Sequence, residues 1–190
     1  MSEFSAAVLV GGASRRMGVD KALVEVGGAG LAQRAVEVLR EAGARRVVTV
    51  GGSDRGVGVG HVHDRYPGEG PLGGLITALG EFQSDGVVQT EVVVVACDLP
   101  LLSAGTIRLL VTALADNDAA IARTDRIEPL CAVWRPEQVL AILQASFASG
   151  ERAIRRALTG LRTIEVTVDG AELVNLNTPE DVRRVRQGSD

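Results

Sequence analysis

The segment Phe4-Ser-Ala-Ala-Val-Leu9-Val10-Gly11-Gly12-Ala-Ser-Arg15-Arg16-Met-Gly-Val-Asp20-Lys21 joins an apolar run to a glycine-rich, basic one. Residues 4–10 read as a buried strand. A strand running into such a loop presents backbone N–H groups and cations to phosphates in many α/β proteins. Gly11 and Gly12 let the backbone approach an anion closely, because they carry no Cβ. Arg15, Arg16 and Lys21 would neutralise a polyphosphate, the arginines by a planar fork and the lysine as a point charge. The spacing is not that of a P-loop, since no Gly-Lys-Ser/Thr closes it, and it lacks the alternating G-x-G-x-x-G of dinucleotide sites. By residue type alone the segment is either a phosphate loop or an ordinary strand-to-helix turn.

Residues 31–42 carry apolar side chains at helical spacing, with Gly43 placed as a C-cap. A β-branched strand is expected over residues 46–50, closed by Gly51-Gly52. A short strand follows over 59–64, after the flexible Gly56-Val-Gly-Val-Gly60. Tyr66-Pro-Gly-Glu-Gly-Pro-Leu-Gly-Gly74 is dense in turn residues and leads into a helix over 72–82. Glu91-Val-Val-Val-Val-Ala-Cys97 is the clearest strand, and its unbroken apolar character requires cover on both faces. Ser103 caps a helix running to residue 115. Then come strands over 119–123 and 129–134, a helix over 136–147, a short basic helix over 151–158 and a strand over 163–168. A final helix is capped by Asn177 or Thr178, with Pro179 at its first position.

This alternation predicts a three-layer, doubly wound α/β fold with a mostly parallel sheet, in one domain spanning residues 1–190. Ligands of such sheets sit outside the carboxyl ends of the strands, the edge where Gly11, Gly51, Asp64 and Asp98 fall. Hydrophobic residues make up 46% of the chain but aromatic ones only 3%, so the core must be aliphatic. A net charge of -4 argues against a general nucleic-acid or membrane surface, leaving Arg15-Arg16 as a local cationic site for a small anion. The first residues have no basic n-region, and the longest apolar run is too short to span a bilayer. The two cysteines, Cys97 and Cys131, lack C-x-x-C spacing and read as buried, reduced thiols. The compartment expected is the cytoplasm.

Asp98 comes directly off the clearest strand. A carboxylate there is held rigidly at the ligand edge and suits Mg²⁺, which takes one or two carboxylates together with substrate phosphate oxygens. Capping the next helix is the plain alternative, but Ser103 already supplies that cap. Asp64 ends a strand, and a simple Asx turn is the alternative to ligand binding there. His61 and His63 alternate along a short strand without an evident third ligand, so ordinary surface roles are expected.

The pattern Leu9-x-Gly11-Gly12-x-Ser14-x-Arg16-Met17-Gly18-x-Asp20-Lys21 resembles the signature loop of the nucleotidyltransferases that activate sugars and cofactors. Within them it is most similar to the molybdenum cofactor guanylyltransferases. The Gly-Gly pair and Asp-Lys ending favour that branch over the molybdopterin cytidylyltransferases, which more often read Ala-Gly before the Ser. Cys97-Asp98-Leu-Pro-Leu resembles the family's metal motif, and Asp64 with Gly70-Pro-Leu-Gly-Gly74 resembles its nucleotide-contacting turn. Asn175-Leu-Asn177-Thr-Pro-Glu resembles its C-terminal motif. Gly150-Glu-Arg152 and the strand from Glu128 match the half that lines the pterin.

The resemblance implies a Rossmann-like nucleotidyltransferase that moves GMP from GTP to molybdenum-bound molybdopterin with Mg²⁺, and possible delivery partners among molybdoenzymes or a chaperone. It implies catalytic roles for Arg16, Lys21 and Asp98, and nucleotide binding by Leu9, Val10, Gly11, Gly12, Lys21, Asp64 and Asp98. Asn175 and Asn177 would hold the acceptor, and Asp98 the metal. One departure is visible. The family often places Asn at the end of the second strand, where this chain has Val50-Gly51-Gly52, which leaves base choice open. A cytidylyltransferase, a nucleotidyltransferase for another phosphorylated acceptor and a non-catalytic nucleotide-binding module are the other readings.

Overall fold

The computed structural model describes residues 3–11, 21–84, 91–176, 178, 180, 181 and 183. Its strands and helices alternate as β1 (Ser5–Leu9), β2 (Glu25–Val26), β3 (Ala29–Gly30), α1 (Leu31–Ala42), β4 (Val47–Val50), β5 (Gly60–Val62), α2 (Pro71–Ser84) and β6 (Val92–Ala96). The second half continues with α3 (Ala104–Ala113), β7 (Ala119–Arg123), β8 (Ile127–Trp134), α4 (Pro136–Ala148), α5 (Ile154–Ala157) and β9 (Thr163–Thr167). Seven strands form one sheet in the order β5-β4-β1-β6-β8-β7-β9. Only β8 runs against its neighbours, pairing antiparallel with β6 and β7, so the expected mostly parallel sheet is present.

Two aliphatic cores lie on opposite faces of that sheet, because successive strand side chains alternate. Ala6, Val8, Val93 and Val95 pack against α1 and α3 on one face. Ala7, Leu9, Val92 and Val94 pack against α2 and α4 on the other. Each of the four valines of β6 is fully buried, a transfer worth roughly 1.5–3 kcal/mol per side chain. This two-sided cover is what the unbroken apolar run required.

Local signals set the element ends. Gly43 closes α1 in the left-handed region at φ 104, its N–H donating to the Arg40 carbonyl. Ser103 accepts from the Thr106 N–H and starts α3. Three features went beyond the sequence reading. Gly27-Gly28, at φ 59 and 83, turns a small β2–β3 hairpin, as two left-handed central residues do in a type I′ turn. Asp169 caps a 3-10 turn over Gly170–Leu173. The basic helix expected over 151–158 is shorter: Ala153 is its extended N-cap, and the Glu151 carboxylate accepts from the Arg152 and Ala153 N–H groups in the loop ahead of it. At the C-terminal end Thr178 and Asp181 cap each other reciprocally, as a capping box does.

Candidate active site

The strand order reverses between β1 and β6. From β1 the chain winds outward through β4 to β5, and it then returns across the sheet to β6. The gap at such a reversal is where open α/β sheets bind ligands. Here it is a cleft of about 600 Å³ lined by the ends of β1 (Leu9, Val10, Gly11), β4 (Val50, Gly51, Gly52) and β6 (Ala96, Cys97, Asp98). The turn before α2 lines it too, with Asp64, Pro67, Gly68 and Gly70, as does Leu130 of β8. Sequence reasoning brought several of these together and placed the strand carrying Leu130 in the acceptor half, without singling out Leu130 itself, which nothing in its local sequence sets apart from a core leucine.

Backbone builds the floor. Val10 N–H donates to Val50 O at 2.9 Å and Cys97 N–H to Leu9 O at 3.2 Å, so three strand ends stay in register past the last paired residue. Gly11 and Gly51 touch main chain to main chain. A Cβ on Gly11 would lie 3.2 Å from Gly51 Cα, and one on Gly51 would lie 3.1 Å from Gly11 Cα. Gly51 also holds φ 84, a conformation that side chains disfavour. The departure from the family's Asn is therefore matched by a close backbone crossing that glycine makes without strain. Gly12, Arg15, Arg16, Asp20 and Asn177 lie outside the described residues. So does the side chain of Lys21, whose backbone begins a 3-10 turn over Lys21–Leu23.

Asp64 is held from both sides. Its Oδ1 accepts from Tyr66 N–H at 2.9 Å and lies 3.0 Å from the Thr77 hydroxyl. That hydroxyl is buried and accepts from Arg65 N–H at 3.1 Å. The Asx turn is thus real, and Asp64 also lines the cleft. Thr77, one helical turn inside α2, is the support that sequence reasoning overlooked.

Asp98 is half-buried at the cleft where β6 ends. The C-terminal segment docks beside it. Leu176 N–H donates to the Asp98 carbonyl at 3.0 Å, which sets Asn175 next to the loop that carries Asp98. Glu172 fastens the same segment by accepting from the Ser103 N–H and hydroxyl at 2.9 and 3.1 Å. These two regions, far apart in the chain, therefore meet at one edge.

Glu128, at the start of β8, is a second carboxyl in this neighbourhood. Burial pushes it up from the ordinary glutamate range and the charge of Asp98 adds to this, while Arg126 and Arg155 pull it down. Beneath the cleft, burial pushes the Cys131 thiol far up, which keeps it an inert, neutral packing group. His61 hydrogen-bonds Thr49 through Nδ1 at 3.0 Å and meets the His63 ring edge-on at 5.2 Å. Among the described residues no group of three or more His, Cys, Asp or Glu converges on a metal position. A cation in the cleft would therefore lean on one or two protein carboxylates and on ligand oxygens, a donor set that hard divalent ions accept. No helix among the described residues is long and apolar enough to cross a membrane.

Known proteins share both sequence and fold. The MobA-like NTP transferase domain matches residues 6–164. A probable molybdenum cofactor guanylyltransferase from Opitutus terrae is 38% identical over 98% of this chain and 96% of its own. A molybdenum cofactor guanylyltransferase from Xanthomonas euvesicatoria is 36% identical over 94% and 92%. The crystal structure of molybdopterin-guanine dinucleotide biosynthesis protein A from Archaeoglobus fulgidus superposes with a TM-score of 0.80, at 25% identity and 98% coverage of both chains. With a glycine-floored cleft at the sheet reversal and matches that run nearly end to end, the chain belongs to the MobA-like NTP transferase family.

Proposed function

We propose that the protein is a guanylyltransferase that transfers GMP from GTP to molybdenum-bound molybdopterin and releases pyrophosphate. The observation that carries the reading is the convergence of Gly11, Gly51, Asp64 and Asp98 on one cleft, in a chain whose full-length relatives are named for that activity. In this reading the β1–β4 side with Leu9, Val10, Gly11, Gly12, Lys21 and Asp64 takes the nucleotide. The segment with Asn175 and Asn177 takes the acceptor, within one domain.

The acceptor's terminal phosphate is already ionised at neutral pH, so its oxygen attacks the α-phosphorus without a strong base and pyrophosphate leaves. The chain's task is to place two anions in line and to offset their charge. The phosphates can come close to the main chain at Gly11 and Gly51, where no Cβ intervenes. Lys21 and Arg16 supply positive charge, and Asp64 anchors the nucleotide against the α2 turn. Asp98 would hold Mg²⁺, which supplies charge neutralisation at the phosphates when bound.

Isothermal titration with MgGTP, MgCTP and MgATP tests the reading first, followed by pyrophosphate release on adding molybdopterin. Preference for GTP with acceptor-dependent release is the expected result. Preference for CTP would move the protein to cytidylyl transfer. Nucleotide binding without release would leave only a binding module.

A further inference from the structure

The resemblance groups Gly150-Glu151-Arg152 with the acceptor half, but the Arg152 side chain reaches the other way. Its Nε donates to Glu69 at 2.7 Å, and Glu69 belongs to the turn whose Pro67, Gly68 and Gly70 line the cleft. Its Nη1 donates to the Phe147 and Glu151 carbonyls, each at 2.9 Å, and its guanidinium lies 4.0 Å over the Phe147 ring. Phe147 in turn packs on Tyr66 with centroids 4.6 Å apart. The backbone joins in as well. The Arg152 carbonyl accepts from Leu72 N–H at 3.3 Å, and a Cβ on Gly70 would lie 3.4 Å from the Arg152 Cβ.

The turn is therefore pinned at both ends. Asp64 and Thr77 fix its start through Tyr66 N–H and Arg65 N–H. Arg152 fixes its far end through Glu69 and, by way of Phe147, also steadies the Tyr66 ring at its start. The Arg152 and Glu69 side chains are 39% and 51% exposed, so the ion pair alone contributes little to stability. The guanidinium, however, is already oriented by two carbonyls and a ring before it meets Glu69. Such a contact fixes where a loop sits more than it raises the free energy of unfolding. Lysine cannot reproduce it, because the planar fork and the stacked face are both needed.

We propose that Arg152 is a positioning residue for the nucleotide: it clamps the turn of residues 66–70 against the cleft and sets affinity for the nucleoside triphosphate. The inference rests on the guanylyltransferase reading. The test is titration of MgGTP into wild type, Arg152→Ala, Arg152→Lys, Glu69→Gln and the Arg152→Ala/Glu69→Gln double variant, with the Tm of each.

Wild type is expected to bind MgGTP, and Arg152→Ala to weaken binding about tenfold with Tm within about 3 °C of wild type. Arg152→Lys should regain only part of that loss. The double variant should be no weaker than Arg152→Ala, since both changes break one contact. If Arg152→Ala does not fold, Arg152→Lys and Glu69→Gln carry the comparison. Binding within about twofold of wild type in the folded variants, or losses that simply follow Tm, would overturn the clamp and leave the guanylyl reading standing. Absence of MgGTP binding by wild type would overturn that reading and the clamp with it.

Discussion

The two sides of the cleft are built by different means. On the β1–β4 side, main chain meets main chain, and a Cβ added at the Gly11–Gly51 crossing would sit only 3.1–3.2 Å from the facing Cα, tighter than an ordinary contact. Beyond β6, side chains reach across long sequence separations: Glu172 to Ser103 and Arg152 to Glu69 near the cleft, and Arg162 to Asp118 at the opposite end of the sheet. A backbone crossing is unforgiving, because a Cβ there presses on main chain, which has no rotamer with which to move aside. Side-chain ties are graded, since solvent and neighbouring groups can replace part of each contact. Errors on the two sides should therefore differ in kind.

The largest effect is expected where the sides meet. Asp98→Ala should lower acceptor-dependent pyrophosphate release about 10³-fold, the scale seen when a group that stabilises developing charge is removed. Its Tm should stay near wild type, because the side chain lines the cleft rather than the core. Normal turnover by this variant would remove Asp98 from the chemistry and leave the comparison without its centre.

The glycine crossing can be separated from backbone strain by a pair of variants. Gly51 and Gly43 both hold positive φ, at 84 and 104. A Cβ at Gly51 meets Gly11 at 3.1 Å, whereas one at Gly43 meets nothing within 4 Å. Gly43→Ala should cost about 1 kcal/mol of stability by strain alone and leave MgGTP affinity unchanged. Gly51→Ala should cost about 2 kcal/mol or more and also weaken MgGTP binding, because the floor itself must move. Equal effects of the two in denaturant titration and calorimetry would show that the crossing has no special part in the site.

How much of this was legible follows the same division. The strand ending at Gly11, the valine-rich strand and the Asp98 position could be read because each carries its signal locally, as an apolar run or a turn residue at a strand end. The Gly11–Gly51 crossing could be seen only as a departure, since its cause is another segment's backbone. Leu130 was read only as part of the strand from Glu128, and Thr77 and Glu172 could not be read at all. A leucine on a strand, a threonine in a helix and a glutamate in a turn acquire their roles only when the sheet brings distant segments together. The β2–β3 hairpin was a different miss, because Gly27-Gly28 announced the turn but its flanking strands are only two residues each.

Among the graded side-chain ties, Asp118 accepts from the backbone N–H and the guanidinium of Arg162, both at 2.8 Å, tying the start of β7 to the segment before β9 at the sheet edge away from the cleft. The Arg162 hydrogen bond holds its carboxyl below the usual aspartate range, against the opposing effect of burial. Arg162 itself is 68% exposed, so solvent screens much of the attraction. Asp118→Asn should therefore lower stability by only about 1 kcal/mol in urea titration and leave MgGTP affinity untouched. A loss as large as that of Gly51→Ala would show that the side-chain ties are not graded after all.

The smallest effect is one of pH. Glu151 accepts from the Arg156 guanidinium at 2.5 and 2.9 Å and from the Ala153 and Arg152 N–H groups at 2.7 and 2.8 Å. The Arg156 hydrogen bond first, and those backbone donors after it, hold the carboxyl down to about 2 from an ordinary 4.5. A carboxyl whose folded value is depressed adds stability that is complete above its unfolded value and is lost as pH falls through the folded one. Wild type should therefore exceed Glu151→Gln in stability by a constant margin from pH 7 down to about 4.5, and the margin should close as pH falls to about 2. Thermal unfolding of both proteins across that range measures it. A margin that stays constant through the acid limb would mean that the shape of the side chain, rather than its charge, holds the loop that carries Arg152.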